Sequence, residues 1–114
     1  VGRIKDMIRV GGENVDPVEV EALLSTHPAV YRVSVVSMPD ARLGEVGAAF
    51  VQLREGFNAS PSELIEYCRN KVASFKIPRK VIFTDEFPMT PTGKIQKFLL
   101  RERAKELLQS ESGI

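Results

Sequence analysis

Within 114 residues, the stretch Thr90-Pro91-Thr92-Gly93-Lys94 has the composition best suited to present a reactive group. Proline and glycine punctuate a loop, and loops carry side chains outward from a rigid scaffold. A lysine held there is a compact charge on a flexible stem, able to act as a mobile cation. An isolated Gly-Lys pair is more often a solvated surface lysine in a turn. The stretch is not a nucleotide phosphate loop, which needs Gly five residues before Gly93 and Ser or Thr after Lys94. Those positions hold Pro88 and Ile95. The other candidates are scattered. Arg69, Lys76, Arg79 and Lys80 could meet an anion. One His and one Cys are too few ligands for a zinc site, so no metal is expected. His27, between a helix end and Pro28, has no nucleophile-and-carboxylate setting around it.

The elements that must position these groups follow from periodicity. Residues 6–15 place short apolar-polar stretches on either side of Gly11 and Gly12, whose tolerance of positive φ suits a tight β-hairpin. Asp16 stands as N-cap before Pro17, with Glu19 completing a capping box, and Val20, Leu23 and Leu24 make the apolar stripe of a helix ending near His27 and Pro28. Tyr31, Val33 and Val35 alternate with Arg32 and Ser34, which predicts a half-buried strand over 30–36. Residues 47–53 are almost wholly apolar and suit a central strand, with a loop expected over 38–45. Ser60-Pro61-Ser62-Glu63 opens a second helix whose Leu64, Ile65, Cys68 and Val72 share one face, which makes Cys68 a core residue.

Residues 80–84 read as a third strand. A last helix from about Lys97 presents Leu100, Ala104, Leu107 and Leu108 to the body, while Arg101 to Glu106 supply an exposed charged face and residues 110–114 fray. The order hairpin, helix, strand, strand, helix, strand, helix gives an α+β fold, a small N-terminal β-hairpin followed by a roughly three-stranded sheet covered by helices.

Sixteen basic against 15 acidic residues leave a net charge of +1, which disfavours a nucleic-acid-coating or polybasic membrane role. The distribution is uneven, because residues 71–114 hold 9 basic and 5 acidic groups. A single cysteine fits a reducing, cytoplasmic compartment. No apolar run approaches the roughly 18 residues of a membrane span, and Val-Gly-Arg lacks the layout of a signal peptide, so a soluble chain is expected. It begins without Met, inside what reads as an ongoing motif, and the expectation is a single domain, residues 1–114, cut from a longer polypeptide.

Gly2-Arg3-Ile4-Lys5-Asp6 and the hairpin stretch that follows, taken with Pro-x-Glu-Val-Glu at 17–21, His-Pro-Ala-Val at 27–30, Phe-Lys-Ile-Pro-Arg at 75–79 and Pro-Thr-Gly-Lys-Ile at 91–95, change the reading of Lys94. In this order they resemble the AMP-forming adenylating enzymes, the superfamily of acyl-CoA synthetases, peptide-synthetase adenylation domains and luciferases. The resemblance covers essentially the whole chain. It implies the small C-terminal lid domain, with a large N-terminal domain holding most of the ATP, its Mg and the carboxylic acid.

By motif position the resemblance makes Lys94 the adenylation lysine and a nucleotide contact, Arg3 a nucleotide contact, and Lys5 the hinge. It places Gly11, Gly12 and Glu13 at the channel for the pantetheine arm of coenzyme A, and CoA-phosphate contacts around Arg69 and Arg79. Asn14 departs from relatives that carry Arg there and receives no contact; Arg9 is a looser candidate for the second half-reaction. The branch implied is an acid–CoA ligase of the fatty-acyl, medium-chain or aromatic-acid type. The alternatives are the lid of a peptide-synthetase adenylation domain and, in a different class, a non-catalytic module that holds an anion or a protein.

Overall fold

A computed structural model describes residues 7–112. Arg3 and Lys5 lie outside the described residues, as do the side chain of Leu108 and residues 113–114. Two long strands dominate, β3 (Val30–Asp40) and β4 (Gly44–Leu53). They pair antiparallel in unbroken register from Arg32 opposite Gln52 to Asp40 opposite Gly44, with an irregularity between Val30 and Arg32.

The loop expected over 38–45 is thereby reduced to a turn of residues 41–43. Its cause is local: Asp40 Oδ2 accepts from the N–H of Arg42 at 3.1 Å and of Leu43 at 2.8 Å, and Gly44 takes φ +85°. Pro39 has no N–H to give a neighbour, which suits a strand at the sheet's edge.

The other strands join β4 on the side away from β3. β1 (Ile8–Val10) and β2 (Glu13–Val15) form the expected hairpin, with Gly11 at φ +57° and Gly12 at φ +91°. Two successive positive φ values make the tight turn whose twist matches its strands. β1 pairs with β4 where Val10 faces Gly44. β5 (Lys80–Phe83) runs parallel to β4 along residues 48–51. A parallel neighbour requires a crossover, supplied here by α2 (Pro61–Cys68) and a 3-10 turn at Ser74–Lys76.

Helices cover both faces, and this corrects the half-buried reading of β3. On one face Val33, Val35, Ala49 and Val51 pack with Val20 and Leu24 of α1 (Pro17–Ser25) and with Leu64 and Cys68 of α2. On the other, Val36, Met38, Ala48 and Phe50 pack with Leu100 and Ala104 of α3 (Lys97–Ser112). Ser34, expected to face water, is only 1% exposed. The polar position in the alternation misleads because α3 returns over that face from more than sixty residues away. Leu107 is half-buried as the stripe expects, and α3 continues through Ser112 instead of fraying at 110, since no helix breaker intervenes before Gly113.

Both helix caps form, but neither capping box closes. Asp16 Oδ1 accepts from Val18 N–H at 3.0 Å and Ser60 Oγ from Glu63 N–H at 3.1 Å. Instead of turning back on their own helices, Glu19 binds Lys76 Nζ at 3.0 Å and Glu63 lies 3.6 Å from His27 Nε2. α2 ends at Cys68, so Val72 packs on the core from beyond the helix, after Asn70 at φ 68°. Among the described residues no helix is long and apolar enough to cross a membrane, and no group of His, Cys, Asp or Glu could hold a metal.

Candidate functional site

Lys94 sits on a small hairpin of its own, and the residues around it explain why. Met89 bridges Ile95, Thr90 N–H donates to Lys94 O at 2.8 Å, and Gly93 N–H donates to Thr90 O at 2.9 Å. Pro91 holds the second position of this turn at its natural φ. Gly93, at φ +89°, takes the left-handed place that closes a three-residue hairpin loop. Thr90 Oγ1 also accepts from Lys94 N–H at 3.1 Å and meets Thr92 Oγ1 at 2.9 Å.

The backbone on either side of the ammonium group is therefore fixed, while the side chain is exposed and its Nζ has no partner among the described residues. Below the tip the hairpin is anchored by half-buried Ile95, by Phe87, and by Gln96 N–H donating to Pro88 O at 2.8 Å. An Arg32 guanidinium nitrogen lies 3.9 Å from Met89 Sδ and ties the hairpin to the start of β3.

The glycine hairpin lies elsewhere. Gly11 N–H donates to Leu43 O at 2.9 Å, which docks the tip of the first hairpin against the β3–β4 turn. A Cβ at Gly11 would meet Leu43 Cδ2 at 3.1 Å, whereas one at Gly12 would meet nothing within 4 Å. Gly11, Gly12 and Glu13 are all exposed. Arg9 donates its N–H to Glu45 Oε1 at 3.0 Å and its guanidinium to Asn14 Oδ1 at 3.5 Å, so Asn14 faces a neighbouring strand. The Lys94 hairpin touches the start of β3 through Arg32, whereas the glycine tip docks beyond its far end through Leu43, so the two lie at opposite ends of that strand. The rise from Arg32 to Asp40 alone is on the order of 25 Å.

Residues 19–94 match the family described as AMP-binding enzyme C-terminal domain. The chain belongs to that family. It is 53% identical over 111 residues to the putative acyl-CoA synthetase YngI of Bacillus subtilis (strain 168), a match that spans 97% of this chain and 20% of that protein. Its fold superposes on a Mycobacterium tuberculosis fatty acyl CoA synthetase with TM-score 0.86 and 43% identity, over 92% of this chain and 21% of that one. It superposes similarly on the anthranilate CoA ligase AuaEII solved in complex with anthranoyl-AMP, with TM-score 0.84 and 41% identity, over 94% of this chain and 21% of that one. The chain spans about a fifth of the length of the relatives it matches.

In this AMP-binding enzyme C-terminal domain two of the basic residues expected to meet an anion already have acidic partners. Arg69 is engaged with Glu66 at 2.8 Å, and Lys76 with Glu19. Arg79 is exposed and donates its backbone N–H to Gly47 O at 2.9 Å. Cys68 is fully buried, as its helix face requires. Burial pushes its thiol up from the ordinary 9.0, and nearby Lys71 only partly offsets this. The folded state holds the proton to higher pH than the unfolded chain does. Its stabilising contribution is full below 9.0 and is lost as pH rises above it. Between about pH 8 and about pH 10 the urea midpoint of the wild type should fall further than that of Cys68→Ala. Parallel pH dependences would contradict the assignment.

Sequence reasoning missed one feature. Lys97 Nζ, three residues past Lys94, pairs with Glu21 Oε2 of α1 at 2.7 Å, and the same oxygen accepts from Val35 N–H at 2.8 Å. A lysine in the first position of a helix, against the dipole, was the available signal.

Proposed function

We propose that this domain is the mobile lid of an AMP-forming acid–CoA ligase, with the remaining four-fifths of the enzyme holding most of the ATP, its Mg and the acid. In the first half-reaction a carboxylate oxygen attacks the α-phosphorus of ATP, pyrophosphate leaves, and an acyl-adenylate forms. Lys94 sits between the carboxylate and the α-phosphate, where negative charge gathers. In the second, the thiol of coenzyme A attacks the acyl carbon, AMP leaves, and the thiol proton passes to solvent or base. Here the lid presents Gly11, Gly12 and Glu13 along the pantetheine arm, with Arg69 and Arg79 toward the CoA phosphates. Arg3 contacts the nucleotide, and Lys5 absorbs the rotation between the two arrangements.

The observation that carries this reading is the placement of Lys94, without a partner among the described residues, on a hairpin at the end of β3 away from the glycine tip. A turn of the domain between steps would bring each end to the reaction centre in its own half-reaction. The names of the relatives, acyl-CoA synthetases and CoA ligases, support the same chemistry. The test is acid-dependent exchange of pyrophosphate into ATP by the complete enzyme without coenzyme A, over fatty, medium-chain and aromatic acids. Exchange with any of them, followed by thioester formation when coenzyme A is added, is the expected result. Exchange with none of them would overturn the reading.

A further inference from the structure

We infer that Glu21 and Lys97 are positioning residues for adenylation, a clasp across the edge of the sheet that aims the Lys94 hairpin; this rests on the role proposed for Lys94. β3 is an edge strand, and its outward N–H groups need cover. Glu21 Oε2 caps the N–H of Val35 at 2.8 Å and binds Lys97 Nζ at 2.7 Å. α1 and α3 lie on opposite faces of the sheet, so this carboxylate joins the two helical layers around its rim.

Lys97 is also electrostatically misplaced unless it has this partner. α1 and α2 each carry an acidic residue in the first turn, Glu19 and Glu63, whereas α3 has none and begins with a cation. Positive charge at a helix N-terminus opposes the dipole. Glu21 supplies in space the carboxylate that α3 lacks in sequence. Both side chains are about four-fifths buried, at 23% and 20% exposure, so the pair is screened less than a surface bridge.

The hairpin of Lys94 runs directly into Lys97. Ile95 and Phe87 hold its base by apolar contact, which resists separation but permits rocking. An ion pair with a backbone-bound carboxylate adds direction. The hairpin is rigid within itself, so a small rotation at residue 97 displaces the Lys94 ammonium as a lever would.

The test uses the complete enzyme and separate half-reactions. Glu21→Gln keeps an acceptor for Val35 and removes only the charge; Lys97→Met keeps the apolar stem and removes only the cation. Each should lower kcat for acyl-adenylate formation about tenfold, since misplacing a catalytic group by about 1 Å can cost that or more. Thioester formation from supplied acyl-adenylate should stay within about twofold, and the double variant should be no worse than the worse single one. Unchanged adenylation in both variants, or equal loss in both half-reactions, would overturn the clasp. Lys94→Ala run alongside separates the failures: if it too leaves adenylation intact, the role of Lys94 is wrong; if it alone abolishes adenylation, only the clasp is.

Discussion

Replacing Lys94 by Ala in the complete enzyme is expected to slow acyl-adenylate formation by about 10²- to 10³-fold, the cost of removing one preorganised charge from the place where an oxyanion develops. Thioester formation from a supplied acyl-adenylate should be largely retained. The asymmetry follows from geometry. Lys94 is exposed and its ammonium group has no partner among the described residues, so its loss breaks no contact there. The hairpin beneath it is held by backbone bonds and by Thr90, all of which survive the change.

In water an ammonium and a phosphate attract weakly, but a closed, dry site multiplies that attraction several-fold. The effect should therefore appear in kcat for adenylation with the urea midpoint unchanged. Acetylation of Lys94 removes the same charge and should act in the same direction. Equal loss in both half-reactions, or unchanged pyrophosphate release, would remove Lys94 from the reaction.

The largest effect on stability is expected at Phe50. It is fully buried on β4 and packs toward Leu100 and Ala104 of α3. Phe50→Ala should cost about 3–5 kcal/mol, lost transfer energy plus the cavity left behind. A domain of this size has about 5–15 kcal/mol in total, so much of it would disappear. The comparison is Val18→Ala: Val18 is 60% exposed, and the change should stay within about 0.5 kcal/mol. Urea unfolding of both variants checks this. A loss below about 1 kcal/mol at Phe50 would mean that α3 is not the lid of that core.

Local chemistry made much of this protein legible in advance. Asp16 before Pro17, Ser60 before Pro61, paired glycines at 11 and 12, and Pro91 with Gly93 each dictate a cap or a turn through a few neighbouring atoms, and each is found in the structure. The apolar run of β4 likewise announced a strand buried on both faces. What the chain could not disclose alone are the features settled by distant partners. Ser34 reads as a solvent position until α3 covers it. Glu19 reads as half of a capping box until Lys76 claims it. Glu21 and Lys97 stand 76 residues apart with nothing local to join them until the sheet's rim brings them within 2.7 Å. Caps and turns depend on bonds across three or four residues, so sequence determines them. Which face is covered and which charge finds a partner depend on how layers stack, and that is decided only when the whole chain folds.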